Sequence, residues 1–104
     1  MKTSGYLGID VGTQGLSVIF TDAALTILGS GEATYGMVPG LAAGCFEQHP
    51  ADWEAALVAA MADLRRTLTA SGVEMDVRAI GISGQMHGEV LADASGQQIG
   101  RAHV

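Results

Sequence analysis

Two short apolar runs open the sequence, and the four residues between them leave little choice for how the chain begins to fold. Residues 6–11 and 16–21 are rich in Leu, Ile and Val, and residues 12–15 are Gly-Thr-Gln-Gly. Glycine on both sides of a short polar break is typical of a turn, and β-branched flanks are typical of strands. The sequence therefore predicts a β-hairpin near the N-terminus.

The turn of this hairpin carries polar groups that suit a nucleotide phosphate. Asp10 ends the first strand and is placed to hold a hydrated Mg²⁺, which prefers oxygen ligands. Gly12 and Gly15 let backbone N–H groups approach an anion, and Thr13 and Gln14 add side-chain donors. The chain has no Walker-type loop, so a hairpin would grip the phosphate instead. The alternative is an ordinary turn, because Asp and Gly occupy turns for conformational reasons alone.

A third strand and a long helix follow the hairpin. Residues 25–35 predict the strand, which Gly29 and Gly31 weaken, and the glycine-rich residues 36–48 predict a loop.

The helix begins at Pro50, which suits a first helical position, and ends before Gly72. His49 is a poor N-cap residue. Apolar residues recur at three- and four-residue spacing along one face of this helix: Trp53, Leu57, Ala60, Met61, Leu64 and Leu68. We expect Trp53 and Met61 to pack in the core.

Two further strands complete the predicted order, β-β-β-α-β-β. Residues 78–83 alternate small side chains with Ile80 and Ile82, which predicts a central strand with one face close to another backbone. Residues 88–93 predict a short last strand. A chain of 104 residues can form about one small α/β domain and excludes a complete multi-domain enzyme.

A second polar motif follows the strand that contains Ile80 and Ile82. Gln85 and His87 are able to hydrogen-bond the hydroxyl groups of a small polar substrate, while Met86 packs against its carbon face. The alternative is a tight connection with a solvated histidine and a core methionine. A metal site is disfavoured, because His49 and His103 stand at no ligand spacing.

Charge and composition exclude several classes of partner. The formal net charge of -6 argues against a nucleic-acid groove, which needs clustered Lys and Arg. No apolar run approaches the length that spans a membrane, and the N-terminus does not resemble a signal peptide, so we expect a cytoplasmic protein. The one cysteine, Cys45, cannot form an internal disulfide.

Four landmarks together resemble the N-terminal region of the FGGY family of carbohydrate kinases. They are Tyr-Leu-Gly-Ile-Asp-Val-Gly-Thr-Gln at residues 6–14, Phe-Glu-Gln-His-Pro with Asp-Trp at residues 46–53, Ala-Ile-Gly-Ile-Ser-Gly at residues 79–84, and Gln-Met-His-Gly at residues 85–88. Each landmark is weak alone, whereas their order and spacing are specific. The resemblance covers about residues 5 to 96.

The resemblance implies an incomplete actin-like ATPase domain of ribonuclease-H topology with a mixed sheet, in which the first hairpin contacts ATP and Mg²⁺. Asp10, Gly12, Thr13 and Gln14 match the phosphate loop of the family, with Asp10 toward the metal. Met86-His87 stands where glycerol kinases of the family have Arg-Glu, and this implies a ketopentose substrate such as D-xylulose. The resemblance also implies a catalytic base outside residues 1–104, no turnover by the fragment alone, and a parent able to form a homodimer.

The sequence departs from the family pattern in places. Ser17 stands where many relatives have Lys or Arg, and His49 replaces the usual Asp or Asn. Residues 99–104, Ile-Gly-Arg-Ala-His-Val, are also the peptide expected from translation of a common sequencing adapter. We therefore expect residues 1–98 to be a partial kinase domain and residues 99–104 to be a non-native tail.

Two other functions remain open from the sequence. One is an ATPase of the same fold that does not act on sugars. The other is a free-standing module that binds an anion or a metal through the hairpin turn.

Overall fold

A computed structural model describes residues 1–85 and 88–104. The elements in chain order are β1 (Lys2–Val11), β2 (Gly15–Asp22), β3 (Ile27–Thr34), β4 (Glu47–Gln48), α1 (Pro50–Ala70), β5 (Glu74–Gly84), β6 (Glu89–Ala92) and β7 (Gln98–His103). The predicted hairpin, third strand, helix and two later strands are confirmed. The predicted order lacked β4 and β7.

The main sheet has four strands in the order β3-β2-β1-β5. β1 pairs antiparallel with β2 and parallel with β5, and β2 pairs antiparallel with β3. The sheet is therefore mixed, as predicted. In this register Asp10 lies beside Ser17 on one neighbouring strand and beside Ser83 on the other.

Helix α1 covers one face of the sheet, mainly over β2 and β3, and the core lies between them. Phe20, Leu64 and Leu68 are the largest fully buried apolar side chains. The glycines of β3 explain the close approach of the helix: a Cβ at Gly29 would lie 2.8 Å from Leu68 Cδ2, and a Cβ at Gly31 would lie 2.8 Å from the Leu64 backbone nitrogen. Gly29 and Gly31, which weaken the strand pattern in the sequence, thus leave the space that lets the helix pack closely on β3.

The ends of α1 agree with the sequence. Pro50 is the first helical residue, and the His49 side chain makes no capping hydrogen bond. The chain leaves the helix through Gly72, whose φ of 72° favours glycine. Within the described ranges, no helix is long and apolar enough to cross a membrane.

The prediction that residues 78–83 form a central strand is wrong for this chain. β5 lies at the edge of the four-stranded sheet, because the later strands β6 and β7 belong to a second sheet. Ile80 and Ile82 are 57% and 71% exposed. No described atom lies within 4 Å of a Cβ built at Gly81, so the expected close backbone is not there.

The second sheet has the order β4-β7-β6, with both pairings antiparallel. Its central strand, β7, contains most of residues 99–104. Ala102 is fully buried in it, and Arg101 Nε lies 3.2 Å from Glu47 Oε1 on β4. The non-native origin of these residues stays a prediction, since a native and a non-native sequence can pair in the same strand.

Candidate functional site

Asp10 is the central acidic group of the candidate site. It is exposed and lies one residue before the end of β1, and Ser83 Oγ donates a 2.8 Å hydrogen bond to Asp10 Oδ1 from the adjacent end of β5. Strand pairing places Asp10 on the face of the sheet opposite α1, because its neighbours Ile9 and Val11 pack toward the helix. The hydrogen bond to Ser83 restrains the carboxylate while leaving Oδ2 for a ligand.

A shallow cavity of about 420 Å³ lies along this face beside Asp10. Its lining residues are Gly8, Ile9, Asp10, Ser17, Ile19, Gly81, Ile82 and Ser83. Gly8 and Gly81 leave space on this face, and Ser17 and Ser83 supply hydroxyl groups next to the carboxylate. The cavity can therefore admit a polar ligand to Asp10.

The turn after Asp10 is closed by backbone contacts. Gly12 N–H donates to Gly15 O at 2.9 Å, and the Tyr35 hydroxyl shares its one proton between the carbonyl oxygens of Gly12 and Gly15, the latter at 3.1 Å. A Cβ at Gly15 would lie 2.7 Å from Ala33 O. Gly15 is thus required for the hairpin to pack against β3, a structural need that the sequence pattern did not reveal.

Thr13 and Gln14 form the tip of this turn, and both are exposed. In the part of the chain that the structure describes, their backbone N–H groups donate to no protein acceptor. Two adjacent unpaired N–H groups near a carboxylate that can carry a cation suit a phosphate oxygen. The predicted loop residues Asp10, Gly12, Thr13 and Gln14 are therefore brought together, and their contact with a phosphate stays a prediction.

Tyr35 is a site residue that sequence reasoning missed. It follows β3 and is half-buried, and its hydroxyl fixes two carbonyls of the turn. Burial raises the pKa of Tyr35 above its ordinary value, and the negative charge of Asp10 raises this pKa further. The hydroxyl therefore stays protonated and continues to donate over the neutral pH range.

Gln48 is the second residue that sequence reasoning missed, since its position in residues 36–48 predicts only a loop. Its side chain is 1% exposed. Gln48 Nε2 donates to Thr13 O at 2.7 Å, and Gln48 Oε1 accepts from Trp53 Nε1 at 3.0 Å and from Gln85 Nε2 at 2.7 Å. We call Thr13, Gln48, Trp53 and Gln85 the amide cluster. It joins the turn of the hairpin to the second polar motif.

The second motif is described only in part. Gln85 is half-buried and reaches the amide cluster, so it lies one side chain away from the turn. Met86 and His87 lie outside the described residues, and their substrate contacts stay predictions. The expectation of core packing is confirmed for Met61, which packs against the core. Trp53 is half-buried and is not among the described side chains that pack against the core, and its indole N–H donates to Gln48 instead.

The donor set fits a hydrated Mg²⁺ better than a metal held by protein alone. Among residues 1–85 and 88–104, no three His, Cys, Asp or Glu side chains lie close enough to form a metal cluster. Mg²⁺ keeps several waters and commonly takes one or two carboxylates together with substrate phosphates. The single carboxylate of Asp10, with one oxygen already restrained by Ser83, fits that pattern.

Comparison with known proteins decides the family. Residues 5–104 match the N-terminal domain of the FGGY family of carbohydrate kinases. The chain belongs to this family of carbohydrate kinases. Over 97 residues it is 33% identical to a xylulose kinase of Bacillus subtilis, covering 92% of this chain and 19% of that protein. The chain thus spans about a fifth of the length of the relative it matches.

Solved structures of FGGY kinases share the fold. A kinase from Brucella ovis, described as a xyloylose kinase, matches with a TM-score of 0.85 and 31% identity over 96% of this chain and 20% of its own. A glycerol kinase from Plasmodium falciparum, solved with ADP, matches with a TM-score of 0.82 and 23% identity over 99% of this chain and 20% of its own. The mixed sheet and its helix are therefore part of the actin-like ATPase fold of these kinases.

Proposed function

We propose that this chain is the part of an ATP-dependent sugar kinase that binds the nucleotide phosphates and one side of the sugar. Family membership supports phosphoryl transfer to a sugar. The observation that carries the proposal is the amide cluster, in which one buried glutamine bonds both the phosphate-loop carbonyl of Thr13 and the predicted sugar ligand Gln85.

In this proposal the residues of the chain act by binding and orienting. Thr13 and Gln14 N–H groups contact phosphate oxygens, and Asp10 holds hydrated Mg²⁺ through the oxygen that Ser83 leaves free. A Mg²⁺ ion held by Asp10 would neutralise charge that develops on the phosphates during phosphoryl transfer. Gln85, Met86 and His87 contact the sugar. The base that takes the proton of the sugar hydroxyl lies outside these 104 residues, so we expect no turnover by this chain alone.

We propose D-xylulose, phosphorylated to D-xylulose 5-phosphate, as the substrate. Two kinds of similarity support this choice: the 33% identity to a xylulose kinase and the fold shared with the kinase of Brucella ovis. The Met-His sequence of residues 86–87 points the same way. A cytoplasmic location and a dimeric parent remain predictions.

The test uses the complete kinase encoded by the reading frame from which this chain derives. ADP release is measured with D-xylulose, D-ribulose, glycerol and no sugar. Release that requires D-xylulose is the expected result, and release with another sugar would keep the kinase while overturning the substrate. Release without sugar would indicate an ATPase of another function, and the absence of any release would overturn the proposal.

The variant Asp10→Asn tests the metal assignment in the same enzyme. We expect kcat/KM to fall by about a hundredfold, because the variant loses the carboxylate that holds Mg²⁺ beside the phosphates. Asp22→Asn, at the other end of the hairpin, is the matched control and should retain activity. Equal activity of both variants would contradict the role of Asp10.

We also propose that residues 99–104 are a non-native tail. The strand they form buries one small side chain, Ala102, so a native continuation with a small apolar residue at this place can form the same strand. Long-read sequencing of the source DNA is expected to give different codons after Gln98. Recovery of the same six codons would overturn this proposal.

A further inference from the structure

The amide cluster has a fixed sense of hydrogen bonding. An indole N–H is only a donor, so the group of Gln48 that faces Trp53 must be its oxygen. A backbone carbonyl is only an acceptor, so the group that faces Thr13 must be the Gln48 nitrogen. Both constraints give the same orientation of the Gln48 amide.

The orientation of Gln48 determines that of Gln85. Because Gln48 presents Oε1, Gln85 must turn its own nitrogen toward Gln48, as the 2.7 Å contact shows. The Gln85 oxygen is then directed away from Gln48. Without the indole of Trp53, the Gln48 amide would be set by Thr13 alone, and Gln48 Oε1 would lose one of its two donors.

Burial makes this arrangement stiff. Gln48 is 1% exposed, and three of its four hydrogen-bonding positions are occupied by protein groups at 2.7 to 3.0 Å. A buried amide that loses a partner has no water to replace it, so turning the amide over is unfavourable. The three hydrogen-bond partners of Gln48 come from separate parts of the chain: the turn after β1, the start of α1 and the end of β5.

We infer that Gln48 is a positioning residue that makes Gln85 present its carbonyl oxygen, a hydrogen-bond acceptor, to a hydroxyl group of the sugar. The same side chain holds the Thr13 carbonyl, so one residue sets the geometry of both the phosphate loop and the sugar side. This inference rests on the proposed function for the identity of the ligand. The hydrogen-bonding sense rests on the described residues alone.

The first experiment tests the cluster in the 104-residue chain without any ligand. Trp53 is the only tryptophan, so its indole N–H gives a single resonance in a nitrogen-proton NMR spectrum. Gln48→Met, which keeps the length but removes the amide, is expected to shift this resonance and that of the Gln85 side-chain amide. Exchange of the indole proton should accelerate by about fivefold or more, as loss of one hydrogen bond implies.

The matched control is Gln97→Met, the same substitution at an exposed glutamine. It should leave the Trp53 and Gln85 signals in place. If Gln48→Met leaves the indole and Gln85 signals unchanged, or if both variants shift them equally in folded protein, the inference is wrong.

The second experiment separates positioning from a structural role in the complete kinase. Gln48→Met should raise KM for both the sugar and ATP by about tenfold, whereas Gln85→Ala should raise KM for the sugar alone. A structural role would lower kcat through loss of active enzyme and leave both KM values unchanged, which would overturn the inference. A wild-type kinase inactive on every sugar would refute the proposed function, and the NMR result would then decide the hydrogen-bonding sense separately.

Discussion

At the scale of single residues, Tyr35 connects the turn to the charge of Asp10. Its hydroxyl donates to two turn carbonyls, and burial together with the Asp10 charge raises its pKa. A raised pKa means that the fold favours the neutral phenol. The stability that Tyr35 contributes is therefore present below the ordinary value of 10.0 and is lost as the pH rises through the higher folded-state pKa.

This titration can be observed directly, because the chain has only two tyrosines. In Tyr6→Phe, ultraviolet absorbance should report Tyr35 alone, with a midpoint above 10.0. Adding Asp10→Asn should lower that midpoint only in part, since burial is the larger cause. Glu74→Gln, at the far end of the β1–β5 ladder, is the control. A midpoint insensitive to Asp10→Asn would refute the electrostatic link.

At the scale of elements, the contact between β3 and α1 depends on the absence of a side chain at Gly31. A Cβ there would overlap the Ala60 carbonyl and lie 2.8 Å from Leu64 N, so the helix would have to move. We expect Gly31→Ala to lower the free energy of unfolding by about 1–3 kcal/mol, measured by chemical denaturation. Gly81→Ala, in a strand but with open space around its Cβ, should change it by less than about 0.5 kcal/mol. Equal effects at both glycines would contradict this packing argument.

A second element-level prediction concerns the parallel pair β1–β5. Ser4 Oγ donates to Asp76 Oδ2 at 2.7 Å, and Arg78 lies 2.8 Å from the same oxygen. The Ser4 hydrogen bond, followed by the charges of Arg78 and Lys2, holds the pKa of Asp76 below its ordinary value of 3.8. The resulting stabilisation is present above about pH 3.8 and is lost as the pH falls through the lower folded-state pKa.

Denaturation of Asp76→Asn across acid pH tests this link. The variant should be less stable than the wild type at neutral pH, and the difference should shrink as the pH decreases below the ordinary value for Asp. Glu32→Gln, an exposed carboxylate on β3, is the control for general charge effects. A difference that stays constant down to the lowest pH would show that Asp76 does not titrate with folding.

The elements differ in how far the sequence could predict them. Pro50, Gly72 and the apolar stripe of α1 predict the helix because these signals are local. β4 has two residues and no periodicity, so its formation depends on β7 and could not be predicted. Gln48 was missed for the same reason: a glutamine between Glu47 and His49 gives no local sign of burial, which arises only when the turn, helix and β5 meet.

At the scale of the whole molecule, β5 leaves an edge and an apolar surface exposed. This strand of eleven residues pairs with β1 on one side only, and Ile80 and Ile82 are more than half exposed. An exposed edge strand with apolar side chains is a template for pairing with another chain. We expect the 104-residue chain to self-associate as its concentration increases, through β5 and not through its other exposed apolar residues.

Ile82→Lys tests this mode of association. A lysine on the edge strand adds charge and should shift sedimentation toward monomer, because pairing would bury that charge. Val58→Lys on α1 is the matched control: Val58 is 72% exposed against 71% for Ile82, and the charge change is the same. If both variants reduce association equally, net charge explains the effect. If only Ile82→Lys does so, β5 is the contact, and the surface around Ile80 and Ile82 is the part of this sheet that needs a cover.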